Sequence, residues 1–315
     1  MSGYIKTLAA LGLTQVALIV VVWFKPFDSQ REAGALIQID AERIAYIKII
    51  DSETSIMLRP DSENWSDGVA VNDKYIGDSK KASAFISQIL ELKAQWALTQ
   101  TSEAVKRFEL SDSNYQRKVE LYDQHDQHDQ LLETFFTGTS PEFGKVHARV
   151  SKNNSVYTVD IANHQISTNV DDWIDKAQLA VTHLPSEVNI DQPLKTEDFS
   201  LAEIEGSAWQ INGNIADEQK VNDYLTRFKN FQILGISNAA EGSQARLATI
   251  NLTSDETGIV FNFYKSVDDE FSVTISTQNQ TFRVAEYWIN QLLINETDLL
   301  PSEKDLESSE ENNAE

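Results

Sequence analysis

Cysteine is absent from this chain of 315 residues. Disulfide bonds, thiol nucleophiles, cysteine-ligated zinc and iron–sulfur clusters are therefore excluded, and so is a lipid-modified N-terminal cysteine. The sequence also lacks the motifs G-x-S-x-G, H-E-x-x-H and G-x-G-x-x-G and the Walker phosphate-binding loop. ATP hydrolysis, if the protein serves it, must then belong to another chain. These absences favour a protein that is not an enzyme.

Basic residues are scarce, because 26 lysines and arginines stand against 49 aspartates and glutamates, for a formal net charge of -23. This charge argues against nucleic acid as a partner, since non-specific affinity for nucleic acid comes from basic residues that displace counterions. It favours a partner with a basic patch. Apolar residues make up 41% and charged residues 24%, as in ordinary globular proteins. Wholesale disorder is excluded, and the length predicts two domains.

A long apolar run lies near the N-terminus. Leu8 to Phe24 reads LAALGLTQVALIVVVWF and contains no charged residue. Together with Thr7 it provides about 18 residues, which in a helix approach the thickness of the hydrocarbon core of a bilayer. A cleaved signal peptide is the alternative, but bulky residues occupy the end of the run where small ones are needed. The run predicts an uncleaved transmembrane helix that contacts membrane lipid.

The orientation of this helix follows from its flanks. The short segment before it contains Lys6 and no acidic residue, which favours a cytoplasmic N-terminus under the positive-inside rule. The rest of the chain would then lie outside the cytoplasm. We therefore expect a single-pass protein of a bacterial inner membrane, with its N-terminus in the cytoplasm and its body in the periplasm.

The chain beyond the apolar run reads as two similar passages. Each passage has short apolar strands before and after an amphipathic helix. The first helix, with Ser79 as its N-cap, shows the i, i+3, i+4, i+7 spacing of one buried face at Ala82, Phe85, Ile86, Ile89 and Leu90. The second passage begins near Val188, and its helix repeats the spacing at Val221, Tyr224, Leu225 and Phe228.

These patterns predict an α+β fold in which an N-terminal transmembrane helix is followed by two tandem repeats of an antiparallel-sheet unit, each carrying one main amphipathic helix. The predicted domains are a membrane anchor at 1–27, a first repeat at 28–182, a second repeat at 183–301 and a disordered acidic tail at 302–315. The tail has six acidic residues against one lysine. Two unrelated α+β domains are the alternative to a duplication.

Four short segments carry a family resemblance. They are Ile44 to Trp65, Phe85 to Leu92, Phe108-Glu109-Leu110 and Val156-Tyr157-Thr158-Val159. With the N-terminal anchor, they resemble the bacterial domain-of-unknown-function 4340 family, whose members resemble accessory proteins of ABC-type export systems, often encoded beside the permease and a gliding-motility-like auxiliary subunit. The resemblance implies a membrane-tethered periplasmic partner of a transporter and no catalytic residue. It also implies a glycine where Glu109 stands.

The most conspicuous polar cluster reads Asp123-Gln124-His125-Asp126-Gln127-His128-Asp129-Gln130. His125 and His128 could ligate a divalent metal if the segment were helical, since residues three apart share a face. The segment lies between two predicted strands, where a polar hairpin loop is needed in any case. We expect a solvated loop, and we keep His125 and His128 only as a weak metal-site candidate; no cofactor is predicted.

Other polar and aromatic residues predict structure rather than chemistry. His147 alternates with Val146 and Ala148, so its side chain should face solvent. The pairs Asp171-Asp172 and Asp268-Asp269 occupy positions typical of caps or turns, because adjacent carboxylates diverge and do not form a glycosidase pair. Five tryptophans could form a carbohydrate or lipid platform, but we expect core packing for Trp65, Trp96, Trp173, Trp209 and Trp288.

The sequence thus favours a non-catalytic, membrane-tethered accessory or scaffold protein of the periplasm. It would be an auxiliary component of an ABC-type transport system, with a membrane-protein partner such as the permease complex. The alternative is a periplasmic ligand-binding module that uses a groove between the two repeats. An envelope hydrolase is the third hypothesis, because it would need convergent carboxylates or histidines that no motif indicates.

Overall fold

The computed structural model describes residues 34–94, 96–125, 128–193, 199–204, 208–238, 244–254 and 257–301, together with Gln15. These residues form 21 strands. In chain order the strands are β1 (Gly34–Ala35), β2 (Tyr46–Ile50), β3 (Ser55–Pro60), β4 (Val69–Val71), β5 (Tyr75–Ile76), β6 (Lys93–Ala94), β7 (Leu110–Ser111), β8 (Asn114–Tyr115), β9 (Arg117–His125), β10 (His128–Thr137), β11 (Val146–Val150), β12 (Tyr157–Val159), β13 (Glu187–Asp191), β14 (Phe199–Ile204), β15 (Ala208–Ile211), β16 (Asn214–Ile215), β17 (Gly235–Ile236), β18 (Gln244–Ser254), β19 (Thr257–Ser266), β20 (Phe271–Ile275) and β21 (Gln278–Val284).

Helices are fewer than strands in the described part of the chain. The four α-helices are α1 (Ser79–Glu91), α2 (Ser102–Arg107), α3 (Glu218–Lys229) and α4 (Glu286–Leu292). Single 3-10 turns occur at Ala41–Arg43, Asn163–Gln165, Val170–Asp172 and Glu296–Asp298.

Two large antiparallel sheets contain most of the strands. The eight-stranded sheet has the order β12-β11-β10-β9-β2-β3-β4-β5, and the nine-stranded sheet has the order β16-β15-β14-β13-β18-β19-β20-β21-β17. Strands β1 and β6 form a separate pair, and so do β7 and β8. The outermost strands β12, β5, β16 and β17 are only two or three residues long. An incoming strand therefore finds few main-chain groups to pair with at these edges.

The described residues group into two compact units. The first unit comprises residues 34–57 and 83–168, and the second comprises residues 58–82 and 169–301. The domain boundaries given above from the sequence stay a prediction.

The core of the first unit is built from apolar residues that alternate along its strands. Val119 and Leu121 of β9 are fully buried, while Glu120 between them is partly exposed. This period of two turns one face of the sheet inward. Strand β11 is different, since all five of its residues are buried. Both faces of β11 are therefore covered, and its polar side chains are enclosed as well.

The core of the second unit is aromatic. Helix α3 begins after Asp217, whose carboxylate accepts a hydrogen bond from the Lys220 main-chain N–H at 2.9 Å, as expected of an N-cap. The buried face of α3 brings Phe228 to within 6.4 Å, between ring centroids, of Phe261 on β19. Phe231 follows the helix and contacts the Phe261 ring edge-on at 6.0 Å. Such tilted and edge-on pairs are favourable ring geometries.

The N-cap of helix α1 is Asp78. The Asp78 carboxylate accepts a hydrogen bond from the Lys81 main-chain N–H at 3.0 Å, and Ser79 is already the first helical residue. The predicted cap at Ser79 is therefore one position too late. An aspartate serves this role well, because its charge also interacts favourably with the helix dipole. The apolar face of α1 is buried at Ala82, Phe85, Ile86 and Ile89.

The predicted fold class is wrong. We expected an α+β protein made of a transmembrane helix and two tandem repeats with one main helix each. The described chain is mostly antiparallel sheet, with 21 strands and four α-helices, of which the sequence indicated only α1 and α3. Helices α2 and α4 have six and seven residues, and so short a segment shows too little of a 3.6-residue period to be recognised.

The membrane anchor predicted at 1–27 lies, apart from Gln15, outside the described residues. Among the residues that the structure describes, no helix combines the length and the apolar character needed to cross a bilayer. The acidic tail predicted at 302–315 also lies outside them.

Candidate functional site

The two histidines singled out as a weak metal-site candidate lie on different strands. His125 ends β9 and His128 begins β10, and the two are register partners across the hairpin. The segment is therefore not the helix in which residues three apart share a face. Residues 126 and 127, and the side chains of His125 and His128, lie outside the description.

Potential metal ligands elsewhere are dispersed. Within the described ranges, no group of three or more histidine, aspartate or glutamate side chains is arranged to hold a metal ion.

His147 does not face solvent as its alternation predicted. It is 8% exposed on the fully buried strand β11. Its ring lies 4.1 Å, between centroids, from the Phe108 ring, and its Nδ1 is 2.9 Å from the Thr139 hydroxyl. Burial lowers the pKa of His147. The prediction was wrong because a single strand's alternation does not reveal that its second face is covered by another segment.

Glu133 is a buried carboxylate in the first unit, at 4% exposure. A bulge in β10 between Leu131 and Glu133 shifts the register there, and such a bulge can redirect a side chain. Its Oε1 accepts hydrogen bonds from the Ser151 hydroxyl at 2.6 Å and from the Thr134 main-chain N–H at 3.0 Å. Burial would raise the pKa of Glu133, but these bonds and the Lys152 ammonium at 3.1 Å lower it overall. The carboxylate holds β10 to the end of β11.

Arg149 lies on β11 with its side chain 6% exposed. Its Nε donates to the Leu110 carbonyl oxygen at 2.8 Å, and its Nη2 donates to the Asp112 carboxylate at 2.6 Å. The guanidinium carbon lies 4.4 Å from the centre of the Phe136 ring, a cation–π contact. Phe136 and Leu110 belong to a buried apolar cluster. Arg149 therefore holds the β7–β8 segment against the eight-stranded sheet.

Asp51 holds the β2–β3 turn. Its Oδ1 accepts hydrogen bonds from the main-chain N–H groups of Glu53 at 2.9 Å and Thr54 at 2.7 Å, and its Oδ2 accepts one from the Thr168 hydroxyl. Burial would raise the pKa of Asp51, but these bonds lower it to about 2. The carboxylate thus stays ionised at any physiological pH.

Asp171 is the centre of the main charged cluster of the second unit. Its carboxylate accepts hydrogen bonds from Arg283 on β21 and from the Ile236 main-chain N–H on β17, the latter at 2.8 Å. Gly235 permits this approach, because a Cβ at that position would come within 2.2 Å of the carboxylate. Asp171 therefore joins the 3-10 turn Val170–Asp172 to the edge of the nine-stranded sheet.

Two lysines complete this cluster. The Lys176 ammonium donates to the Leu234 carbonyl oxygen at 2.6 Å, and the Lys81 ammonium donates to the Asp172 carbonyl oxygen. Burial lowers the pKa of Lys176, against the opposing effect of the Asp171 and Asp172 carboxylates. The residues of this cluster bond to main-chain groups, so their common effect is to fix the segment from 170 to 176 in place.

The β10–β11 turn, residues 142–145, presents an aromatic side chain to solvent. Phe143 is 98% exposed. The turn closes with a hydrogen bond from the Lys145 main-chain N–H to the Glu142 carbonyl oxygen at 3.2 Å. Gly144 has φ +77°, which favours glycine because other residues pay a steric cost there. The Lys145 ammonium also lies 2.7 Å from the Glu142 carboxylate, and this bond raises the pKa of Lys145.

The β19–β20 turn, residues 266–269, presents a smaller apolar side chain. Val267 is 88% exposed. The Asp269 main-chain N–H donates to the Ser266 carbonyl oxygen at 3.3 Å, and Asp269 has φ +62°. The Lys265 ammonium lies 2.8 Å from the Asp269 carboxylate. As predicted, the pair Asp268-Asp269 occupies a turn.

The tryptophans divide between core and surface. Trp65, Trp173 and Trp209 are buried as expected, and Trp288 packs edge-on against Phe231 at 5.5 Å. Trp96 was predicted to pack in the core and is 60% exposed. Phe143 was not singled out from the sequence, although Pro141-Glu142-Phe143-Gly144 has the composition of a turn that displays its central residue.

These observations define a β-sheet protein whose charged clusters hold turns and short strands in place and whose turns display apolar side chains. The chain belongs to the family described as Domain of unknown function (DUF4340), which matches residues 69–250, more than half of its length. A comparison with curated proteins finds no match, and neither does a comparison with solved structures.

The structure gives a physical reason for the glycine expected at position 109. Glu109 has φ +57°, in the left-handed region where glycine has no steric cost. The Glu109 carboxylate accepts a hydrogen bond from the Gln116 side-chain amide. This bond partly offsets the cost of placing a glutamate there.

Proposed function

We propose that this protein is a non-catalytic accessory or scaffold component of an ABC-type transport system of the bacterial cell envelope. It acts on the periplasmic side of the inner membrane, and its partner is the permease complex. Membership of the DUF4340 family supports the proposal, because members of that family resemble accessory proteins of ABC-type export systems.

The proposal rests on the observation that buried ionisable side chains of this protein make structural contacts. Glu133, Arg149 and Asp171 each bond to main-chain groups of a neighbouring segment. A general acid or base must instead reach a substrate atom with its polar end. These three side chains therefore hold segments of the fold in place, as a fixed binding surface requires.

The surface charge supports a protein partner with a basic face. The chain has a formal net charge of -23, and complementary charge raises the rate and specificity of association. Attraction of this kind weakens as salt rises, because exposed charges are screened.

Chemical crosslinking in native membranes, followed by purification of the full-length chain, tests the proposal. We expect a permease or ATPase subunit of an ABC-type transporter to be recovered with it. The recovered amount should fall when the salt present during crosslinking is raised from about 0.1 M to about 0.5 M. The matched control is a chain that ends at residue 301, which removes six acidic residues but keeps both units, and it should still recover the partner. A monodisperse monomer without a membrane protein would contradict the proposal.

A further inference from the structure

Exposed apolar side chains lie at both ends of the edge strand β12. At one end, the Leu98 main-chain N–H donates to the Val156 carbonyl oxygen at 2.7 Å, directly before β12. Trp96 and Leu98 are 60% and 54% exposed. At the other end, the Lys145 ammonium of the Phe143 turn lies 3.8 Å from the carboxylate of Asp160, directly after β12. We call Trp96, Leu98 and Phe143 the β12 edge surface.

The two ends of β12 are close enough for one partner protein to contact both. Val156 and Asp160 are four residues apart, which corresponds to about 13 Å along an extended strand. A single exposed apolar residue is normal on a protein, whereas contiguous apolar patches mark interaction sites, so exposed side chains at both ends of one strand motivate a test. Aromatic anchors such as phenylalanine and tryptophan carry much of the binding energy at interfaces.

The main chain of the turn that carries Phe143 is ordered, while the ring is exposed. The left-handed conformation of Gly144 and the main-chain hydrogen bond from Lys145 to Glu142 define the turn on both sides of the ring. An ion pair joins Lys145 to Asp160. A side chain presented by an ordered turn loses little conformational freedom on binding. The turn is therefore built to present the ring rather than to bury it.

Main-chain pairing contributes little at this edge. Strand β12 has three residues, and recognition by strand addition needs a longer row of free main-chain groups. Affinity at the β12 edge surface must then come from side chains.

The charges beside Phe143 indicate the occupant. The carboxylates of Glu142 and Asp160 are 60% and 85% exposed, and the Lys145 ammonium lies 2.7 Å from the first and 3.8 Å from the second. A second copy of this chain would bring the same acidic groups and a net charge of -23. An anionic lipid surface would repel them too. A protein pocket with basic side chains around it would attract them.

We propose that the β12 edge surface docks on the permease complex, with Phe143 inserted into an apolar pocket rimmed by lysine and arginine side chains. This inference rests on the function proposed above. It adds the site of contact and the chemistry of the surface that receives it.

The test uses the full-length chain in native membranes. Variants Phe143→Ser and Val267→Ser are compared by the amount of ABC-type permease that copurifies with each, and Val267 is the matched control because it is an exposed tip of a similar turn. In parallel, a photoreactive phenylalanine analogue replaces Phe143 in one chain and Val267 in another. We expect Phe143→Ser to lower recovery about tenfold or more, and Val267→Ser to lower it by less than about threefold.

The crosslinked peptides identify the receiving surface. Support requires that the probe at 143 reacts with a permease-complex segment in which apolar residues adjoin lysine or arginine. Equal recovery with Phe143→Ser and wild type overturns the inference but leaves the proposed function standing. Crosslinks from position 143 to lipid or to a second copy also overturn it. Failure of the wild-type chain to recover a permease overturns both. Phe143→Leu should retain most binding, which separates loss of the apolar anchor from a change in the turn.

Discussion

The β10–β11 and β19–β20 turns have similar main-chain geometry and ion pairs, but the side chain exposed at the end of each turn differs. Each has a lysine–carboxylate ion pair and a residue in the left-handed region. Phe143 is the exposed residue of the first turn and Val267 that of the second. A full phenyl ring gives a partner much more apolar area than an isopropyl group does. The comparison teaches that the turn ensures exposure, while the identity of the tip decides what the exposed residue can contribute to binding.

The strands behind the two turns differ in how they are held. Strands β10 and β11 bury Glu133 and Arg149, which form directional polar contacts. Strands β19 and β20 bury Phe261, Phe263 and Val273. Aromatic packing depends on filled volume, whereas a buried carboxylate depends on its charge state. The two hairpins should therefore respond differently to cavities, to lost hydrogen bonds and to acid.

The largest effect on stability is expected in the β19–β20 hairpin. Phe261→Ala should lower the free energy of unfolding by about 3–5 kcal/mol, because a fully enclosed ring is replaced by a cavity. Phe261 is 1% exposed and lies 6.3 Å, between ring centroids, from Phe263. Urea denaturation followed by tryptophan fluorescence measures the change. Phe143→Ala is the control and should change stability by less than about 0.5 kcal/mol; similar losses in the two variants would contradict the burial of Phe261.

A smaller loss of stability is expected when a polar contact of the β10–β11 hairpin is removed. Arg149→Met should lower the free energy of unfolding by about 2–3 kcal/mol, because a hydrogen bond from a buried charged group to the Leu110 carbonyl oxygen is lost. Asp112→Asn removes the charge of the other partner, which is 88% exposed, and should cost less than about 1 kcal/mol. Equal effects in urea denaturation would mean that the exposed ion pair, and not the buried bond, matters.

Acid should act on the first unit, which contains both the β10–β11 hairpin and the β2–β3 turn of Asp51. Asp51 has a folded pKa of about 2 against an ordinary 3.8, so the unfolded chain takes up its proton first as pH falls. Its stabilising contribution, about 2 kcal/mol, is present above pH 4 and is lost between about pH 4 and pH 2. Glu133, whose pKa is also lowered, adds to this loss in the same direction.

Urea midpoints measured from pH 6 to pH 2 check the acid dependence. The stability difference between wild type and Asp51→Asn should shrink as pH falls through this window. Asp269→Asn, in the β19–β20 turn, should give a much smaller pH-dependent difference, because its ion pair with Lys265 is exposed and screened. A constant difference for Asp51→Asn across the range would refute the lowered pKa.

The smallest effect concerns the left-handed residues. Glu109→Gly should raise the free energy of unfolding by up to about 1 kcal/mol, since it relieves a steric cost that exceeds the loss of the exposed bond to Gln116. Asp269→Gly is the matched substitution and should change stability by less than about 0.5 kcal/mol, because aspartate tolerates this conformation better. Differential scanning calorimetry separates the two, and a destabilised Glu109→Gly would show that the side-chain bond dominates.

Local patterns predicted several elements, because their signals lie within a few residues. The spacing of Ala82, Phe85, Ile86 and Ile89 predicted α1, and the same spacing from Val221 to Phe228 predicted α3. The fold class was nevertheless wrong, since helices α2 and α4 and the many two-residue strands are too short to leave a period in the sequence.

The charged clusters and exposed surfaces had no local signal. Asp171 and Arg283 are separated by 112 positions, so nothing in either segment indicates that they pair. The enclosure of His147 depends on Phe108 and Thr139, which other segments supply. Trp96 was assigned to the core with the other tryptophans because of their placement in the two predicted repeats, but such placement does not tell whether a neighbouring segment covers a side chain.

The short outer strands limit how two copies of this chain can pair. Two copies that meet edge to edge at β12, β5, β16 or β17 align at most three residues of each strand. Fibrous stacking needs a much longer unbroken ladder of main-chain bonds. At these described edges, two copies of the chain can therefore form only short stretches of main-chain pairing.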